Sequence, residues 1–282
     1  MNSPASTGQT SGGHPAGSLF EIRGLRKTFP GAEGEISALD GIDLDIAETE
    51  CLLAAGPNGS GKTILVRILA ALLEPSEGSI RFRGRSLAEA ARDRRFRREL
   101  GIVFQDAAAQ FVGETVEEDA AFGPANLGLD RAEMKDRVRR ALEKTGLWEK
   151  RRLSPRRLSG GEKRRLAVAG VLAMGNFQDP PETGGSGGVI IMDEPFANLD
   201  FTGVVQVLSI IRTLKQEGVT LIILTHELEK VLALADRLVI LDRGKIREDG
   251  KPAEVLDRLR PEYGVRDPRH SCRTVEDCSW LP

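Results

Sequence analysis

Residues 51 to 69 read CLLAAGPNGSGKTILVRIL, and the change of pattern within them decides the fold. CLLAA, at 51 to 55, is continuously apolar, as a strand buried on both faces of a sheet must be. Further on, Ile64, Leu65, Ile68, Leu69 and Leu72 recur at the spacing of one helical face. GPNGSGKT, at 56 to 63, satisfies the phosphate-loop pattern G-x-x-x-x-G-K-S/T and has the context that pattern needs, a strand before and a helix after. Gly56, Gly59 and Gly61, with Pro57, Asn58 and Ser60 between them, let the backbone curl so that successive N–H groups face phosphate oxygens. The helix N-terminus adds its positive dipole end. Lys62 then reaches the β- and γ-phosphates, and the Thr63 hydroxyl is a ligand for Mg²⁺. A glycine-rich turn with no ligand would explain the glycines but not Lys-Thr with both flanks correct.

Outward from this loop, strands and helices alternate. In LDGIDLDI, Ile42, Leu44 and Ile46 alternate with Asp43 and Asp45, which predicts a half-exposed strand, and IRFR at 80 to 83 alternates again. LGIVF (100 to 104), VIIMD (189 to 193), VTLIILT (219 to 225) and RLVIL (237 to 241) predict further apolar strands. Helices are announced by capping boxes at Thr115/Glu118, Asp130/Glu133 and Ser159/Glu162. The alternation predicts an α/β fold, a mostly parallel sheet wrapped by helices, with a helical subdomain inserted at about 106–172. Residues 1–18 contain no Asp, Glu, Lys or Arg and are rich in Gly, Ser, Thr and Pro, the composition of a disordered tail. GNFQDPPETGGSGG, at 175–188, is expected to be a flexible insertion at the far end of the sheet, replaceable by a short turn. Residues 259–282 are expected to form a C-terminal tail.

Totals exclude several classes. The chain has 282 residues, with 40 Lys+Arg against 42 Asp+Glu and a formal net charge of -2. Nucleic-acid binders usually carry a basic excess, and the 5% aromatic content leaves little for base stacking. Cys51, Cys272 and Cys278 make no disulfide framework and fit a reducing compartment. No apolar run approaches the roughly 18 residues of a spanning helix, so the chain is expected to be soluble. The arginine run from Arg92 to Arg98 is expected to be a solvated helix face. His270, Cys272 and Cys278 are too loosely spaced, with no fourth ligand, to predict a metal site.

Two further segments carry chemistry. The apolar strand VIIMD delivers Asp193 towards a magnesium ion, and Glu194 follows it, where a carboxylate can deprotonate an attacking water. In LSGGEKRRLAVAG, at 158 to 170, Ser159 stands at a helix N-terminus with Gly160 and Gly161 behind it. That is a second anion site by the same dipole physics. One nucleotide needs one cradle, so a second cradle predicts ATP held between two copies of the chain.

Taken together, GPNGSGKT, Gln105, LSGGE, VIIMDEP, NLD (198 to 200) and His226 resemble the nucleotide-binding subunits of ABC transporters, in order over residues 19–258. The resemblance implies an ABC-type phosphate-loop NTPase with an antiparallel β part beside the parallel sheet and with ATP and Mg²⁺ as ligands. It implies that Phe29 stacks on adenine, that Gln105 touches Mg²⁺ and the lytic water, that Asp200 belongs to a dimer-spanning turn and that His226 contacts the γ-phosphate. Catalytic work would then fall to Glu194, His226 and Gln105, and metal ligation to Thr63, Gln105 and Asp193. Two departures stand out, Phe29 where Tyr is more usual and Glu162 where the signature usually has Gln; neither removes a phosphate or metal ligand.

FQDAAAQFVGETVEEDAAFGPANLGL, from Phe104 onward, is similar to the matching segment of energy-coupling-factor transporter ATPases, which drive uptake of vitamins, cobalt or nickel. That similarity implies that Gln110, Phe111 and Val112 dock a transmembrane coupling subunit, with a second ATPase subunit, identical or paralogous, completing the dimer. It implies a peripheral position on the cytoplasmic face of the membrane and no nucleic-acid partner. Two alternatives stay open, an importer with a periplasmic binding protein and a soluble ABC ATPase of DNA repair or translation. The second usually carries a long coiled coil, zinc modules or two motif sets, which this sequence does not show.

Overall fold

The computed structural model describes residues 18–32, 34–106, 110–175, 177, 187–270, 275 and 280, with the side chain of His270 outside it. Ser18 already belongs to the first strand. β1 (Ser18–Gly31) and β2 (Gly34–Ala47) run antiparallel, pairing Phe20 with Ile46, Ile22 with Leu44 and Leu25 with Ile42, so the alternating apolar residues share one buried face. β1 also pairs with β4 (Glu77–Phe82), and the short β5 (Arg85–Ser86) closes a four-stranded antiparallel sheet in the order β2-β1-β4-β5.

The second sheet holds the continuously apolar segments. β3 (Cys51–Ala55), β6 (Leu100–Val103), β7 (Val189–Asp193), β8 (Thr220–Leu224) and β9 (Arg237–Asp242) run parallel, and β10 (Lys245–Gly250) adds an antiparallel edge. Their order is β10-β9-β3-β8-β7-β6. Every residue of β3, β7 and β8 is buried, which explains why these strands lack alternation.

α1 (Lys62–Leu69) follows β3 and buries Leu65, Val66, Ile68 and Leu69. It stops short of the expected stripe. Ala71 takes a left-handed φ of 55°, the chain turns away, and Leu72 is 62% exposed. The arginine run lies in α3 (Arg94–Glu99), after the four-residue α2 (Leu87–Ala90), and exposes Arg94, Arg95 and Arg97 while Phe96 is buried. Between β6 and β7 come α4 (Val116–Asn126), α5 (Arg131–Lys144) and α6 (Gly160–Met174), which pack on one another. Two of the expected capping boxes are complete, Thr115 with Glu118 and Ser159 with Glu162. The third is one-sided. Asp130 accepts from the N–H groups of Ala132 and Glu133, but the Glu133 carboxylate is taken by Arg137 one turn on, at 2.7 Å.

Asn176 and residues 178–186 of the expected insertion lie outside the described residues, but Phe177 within it is 2% exposed and packs in the main core. Three glycines surround its ring. A Cβ built on Gly188 would stand 2.2 Å from Phe177 Cδ1, and others on Gly175 and Gly101 would also meet the ring. α7 (Phe201–Gln216), α8 (Leu228–Val231) and α9 (Pro252–Arg258) complete the helices. Past α9 the chain is not wholly a loose tail, since Tyr263 and Val265 are buried and Val275 and Trp280 lean on the core.

Candidate active site

The loop after β3 is shaped by close approaches that only glycine permits. A Cβ on Gly56 would stand 2.1 Å from the Leu241 carbonyl oxygen of β9. Gly61, with φ 103°, would place a Cβ 2.6 Å from the Ala38 carbonyl oxygen. The loop is also tied from outside, since the Gly244 N–H donates to the Ser60 carbonyl at 3.0 Å. Lys62 turns back into this loop, its Nζ donating to the carbonyls of Gly56 at 2.6 Å and Pro57 at 3.1 Å. Burial pushes its ammonium below the usual lysine range, against the pull of Glu194 and Asp193.

β7 ends at Asp193, which is 3% exposed. Its Oδ2 accepts from the Thr63 hydroxyl at 3.0 Å, while Oδ1 is buried without a hydrogen-bond partner among the described residues. Burial raises the Asp193 pKa, and the Thr63 bond only partly opposes it. An orphaned carboxylate oxygen beside a hydroxyl is a hard oxygen donor set, and it fits Mg²⁺. The ion would supply charge neutralisation on the phosphates when bound.

Glu194 follows in the left-handed region at φ 47°, and its N–H donates to the Leu224 carbonyl at 2.8 Å, anchoring the turn to the end of β8. Such backbone strain in a non-glycine residue clusters at functional sites. Glu194 is 6% exposed, its Oε1 lies 3.0 Å from His226 Nδ1, and Oε2 is buried without a partner among the described residues. His226 sits just past β8, so two neighbouring strand ends deliver the pair.

These groups share one cleft of about 460 Å³, lined by Phe29, Ala38, Asn58 to Ile64, Gln105, Asp193, Glu194 and His226. Phe29 stands at its edge with Lys27 Nζ 5.2 Å from the ring centroid. Gln105 is exposed, and the carbonyls of Phe104 and Gln105 accept from Arg164 of α6. Ala38, Lys27 and Arg164 were not singled out from the sequence. Ala38 carries no signal at all, and nothing distinguishes Arg164 from its neighbour Arg165.

Ser159, Gly160, Gly161 and Asp200 do not line this cleft. Ser159 and Asp200 are exposed, each capping its own helix, and Asp200 accepts from the Gly203 N–H at 2.8 Å. The two helix starts lie side by side. A Cβ on Gly161 would come within 3.1 Å of Gly203 Cα, and one on Gly160 within 3.5 Å of the Asn198 carbonyl oxygen. Of the apolar pair after Gln105, Phe111 is half-buried against the main core, whereas Val112 is 62% exposed; Gln110 is half-buried. Cys272 and Cys278 lie outside the described residues.

A parallel sheet with a phosphate loop at one strand end, an Asp-Glu pair at another and a helical block between defines an ATP-binding cassette. The model of the ABC transporter family matches residues 39–197. The chain belongs to that family and is one of its ATPases. It is 40% identical over 243 residues to the energy-coupling factor transporter ATP-binding protein EcfA1 of Clostridium novyi, covering 86% of this chain and 82% of that protein. It is 38% identical to the cobalt import ATP-binding protein CbiO of Rhodobacter capsulatus, over 89% of this chain and 85% of that one. Among solved structures, cbiO1 from Clostridium perfringens, part of the ABC transporter complex cbiONQ, aligns with a TM-score of 0.71 and 29% identity, over 91% of this chain and 96% of that chain. The fold class expected from the sequence is the one observed.

Proposed function

We propose that this chain hydrolyses ATP to energise a membrane importer of the energy-coupling-factor class, working as one half of an ATPase dimer. One observation carries the dimer. The cleft gathers Lys62, Thr63, Gln105, Asp193, Glu194 and His226, while Ser159 and Gly160, which open the second anion site, are exposed beside the Asp200 turn. A second chain supplies the missing half of each site.

Within the cleft the roles follow from chemistry. Backbone N–H groups of Asn58 to Thr63 and the Lys62 ammonium bind the phosphates. Phe29 stacks on the base. Thr63, Asp193 and Gln105 would hold Mg²⁺. Glu194 Oε2 accepts the proton of the attacking water, and His226, bonded to Oε1, keeps the carboxylate oriented and turns its other nitrogen to the γ-phosphate. No helix of the described residues is long and apolar enough to cross a membrane. On this reading membrane association comes through a partner, docked at Gln110 to Val112 on the cytoplasmic face.

The similarity to EcfA1 and CbiO proteins supports the importer class. The test is co-expression with the membrane subunits encoded nearby, followed by solubilisation and affinity capture. Recovery of a stoichiometric complex whose ATPase is coupled to uptake supports the reading. An active ATPase that never leaves the soluble fraction overturns it.

A further inference from the structure

Arg164 is the fifth residue of α6 and points inward, only 4% exposed although it carries a permanent charge. Its Nη1 donates to the Phe104 carbonyl at 2.6 Å and its Nη2 to the Gln105 carbonyl at 2.8 Å. Both acceptors are consecutive backbone oxygens in the segment leaving β6. A guanidinium is costly to bury unless its donors are matched, and its planar fork suits two acceptors held at a fixed spacing. Burial draws the Arg164 pKa below the usual arginine range, and the carboxylates of Asp106, Asp193 and Glu194 pull the other way. Arg165, next in sequence, makes the contrast. It donates to the Thr145 carbonyl at 2.6 Å, inside the helical block and away from the cleft.

We infer that Arg164 is a positioning residue for ATP hydrolysis, tying the helix that begins at Ser159 to the backbone of Gln105 and so setting where the Gln105 side chain stands in the cleft. The inference rests on the proposed contact of Gln105 with Mg²⁺ and the lytic water. It adds a mechanical link. The start of α6 is the part of the chain that faces a second nucleotide in the dimer, and Gln105 faces the first. One side chain joins them. A shift of α6 on closure therefore carries the Gln105 backbone with it, without passing through the phosphate loop.

The experiment is steady-state ATP hydrolysis by the purified full-length chain, titrated with Mg²⁺. The variants are Gln105→Ala, Arg164→Met, Arg164→Lys, Arg165→Lys and the Gln105/Arg164 doubles, each with its melting temperature. Arg164→Met is expected to lower kcat on the order of ten-fold and to raise the Mg²⁺ needed for half-maximal rate, with KM for ATP within about two-fold of native. Arg164→Lys, which keeps the charge and reaches one carbonyl, recovers part of the rate. In the Gln105→Ala background, changing Arg164 should alter the rate by less than about two-fold, because both act through one group.

Losses that multiply in the double variants overturn the link, and so does an equal Mg²⁺ shift from Arg165→Lys, which would mark a general loosening of α6. A defective Gln105→Ala beside native Mg²⁺ dependence in both Arg164 variants overturns the link alone. Native Mg²⁺ dependence in Gln105→Ala overturns the role of the glutamine and the link together. Should Arg164→Met fail to fold, Arg164→Lys decides by the same comparison.

Discussion

His226 Nδ1 lies 3.0 Å from Glu194 Oε1, and the second carboxylate oxygen of Glu194 is buried with no hydrogen-bond partner among the described residues. One oxygen is held and the other is left as an acceptor. A group that must orient a water and then take its proton needs this division of labour.

Glu194→Gln is therefore expected to lower turnover by about 10² or more while leaving nucleotide affinity near native, because the phosphate loop is untouched. The ATP-bound dimer should accumulate. Single-turnover hydrolysis and size-exclusion with ATP measure both; hydrolysis close to native would remove Glu194 from the role of base.

Phe177 fills the space left by Gly101, Gly175 and Gly188. Replacing all of 175–188 by a short turn would remove this ring, so the cost of that replacement is expected in folding stability rather than in turnover. Phe177→Ala should cost about 3–5 kcal/mol of folding stability, with ATP turnover per folded molecule near native. Chemical denaturation beside activity corrected for folded fraction checks it. Unchanged stability would show that the ring is not core.

Val112 and Phe111 should separate experimentally. Val112→Asp leaves the melting temperature of the free chain near native and weakens capture of the membrane subunit, since an unpaired charge would be buried at the interface. Phe111→Asp lowers the melting temperature as well, because Phe111 leans on the core. Normal capture by a stable Val112→Asp chain would move the docking surface elsewhere.

Burial pushes the Cys51 thiol up to about 12. As pH rises, the unfolded chain loses this proton first, so the thiol's contribution to stability falls between the ordinary value and the raised one. The thiolate is the nucleophile, so Cys51 should resist iodoacetamide at pH 8.5 (an assay value chosen about where free thiols begin to ionise) until the protein is unfolded. Peptide mass spectrometry reads the modification at Cys51 itself. Rapid alkylation of the folded chain would contradict the buried placement.

Much of the architecture is legible in the chain because the apolar runs of β3, β7 and β8 need no long-range information to be recognised as buried strands. That Lys62, Thr63 and Asp193 share one cleft is legible for the same reason, since each sits at a fixed step from a strand end. What escaped depends on tertiary contact. Leu72 belongs to the helical stripe by spacing, yet a left-handed Ala71 removes it. Glu133 has the spacing of a cap but is claimed by Arg137. The inward turn of Arg164 and the strained backbone of Glu194 leave no mark in residue type, because both are imposed by neighbours some thirty to sixty positions distant.

Lys62 reaches back to the carbonyls of Gly56 and Pro57, so its ammonium has already exchanged hydration for two oxygens of its own loop. It splints the loop from within. On the proposed reading, an arriving polyphosphate would trade places with those two carbonyls in a loop that is already held in shape. Nucleotide association should then be a docking step, with an observed rate that climbs in proportion to nucleotide concentration and shows no plateau from a slow rearrangement beforehand.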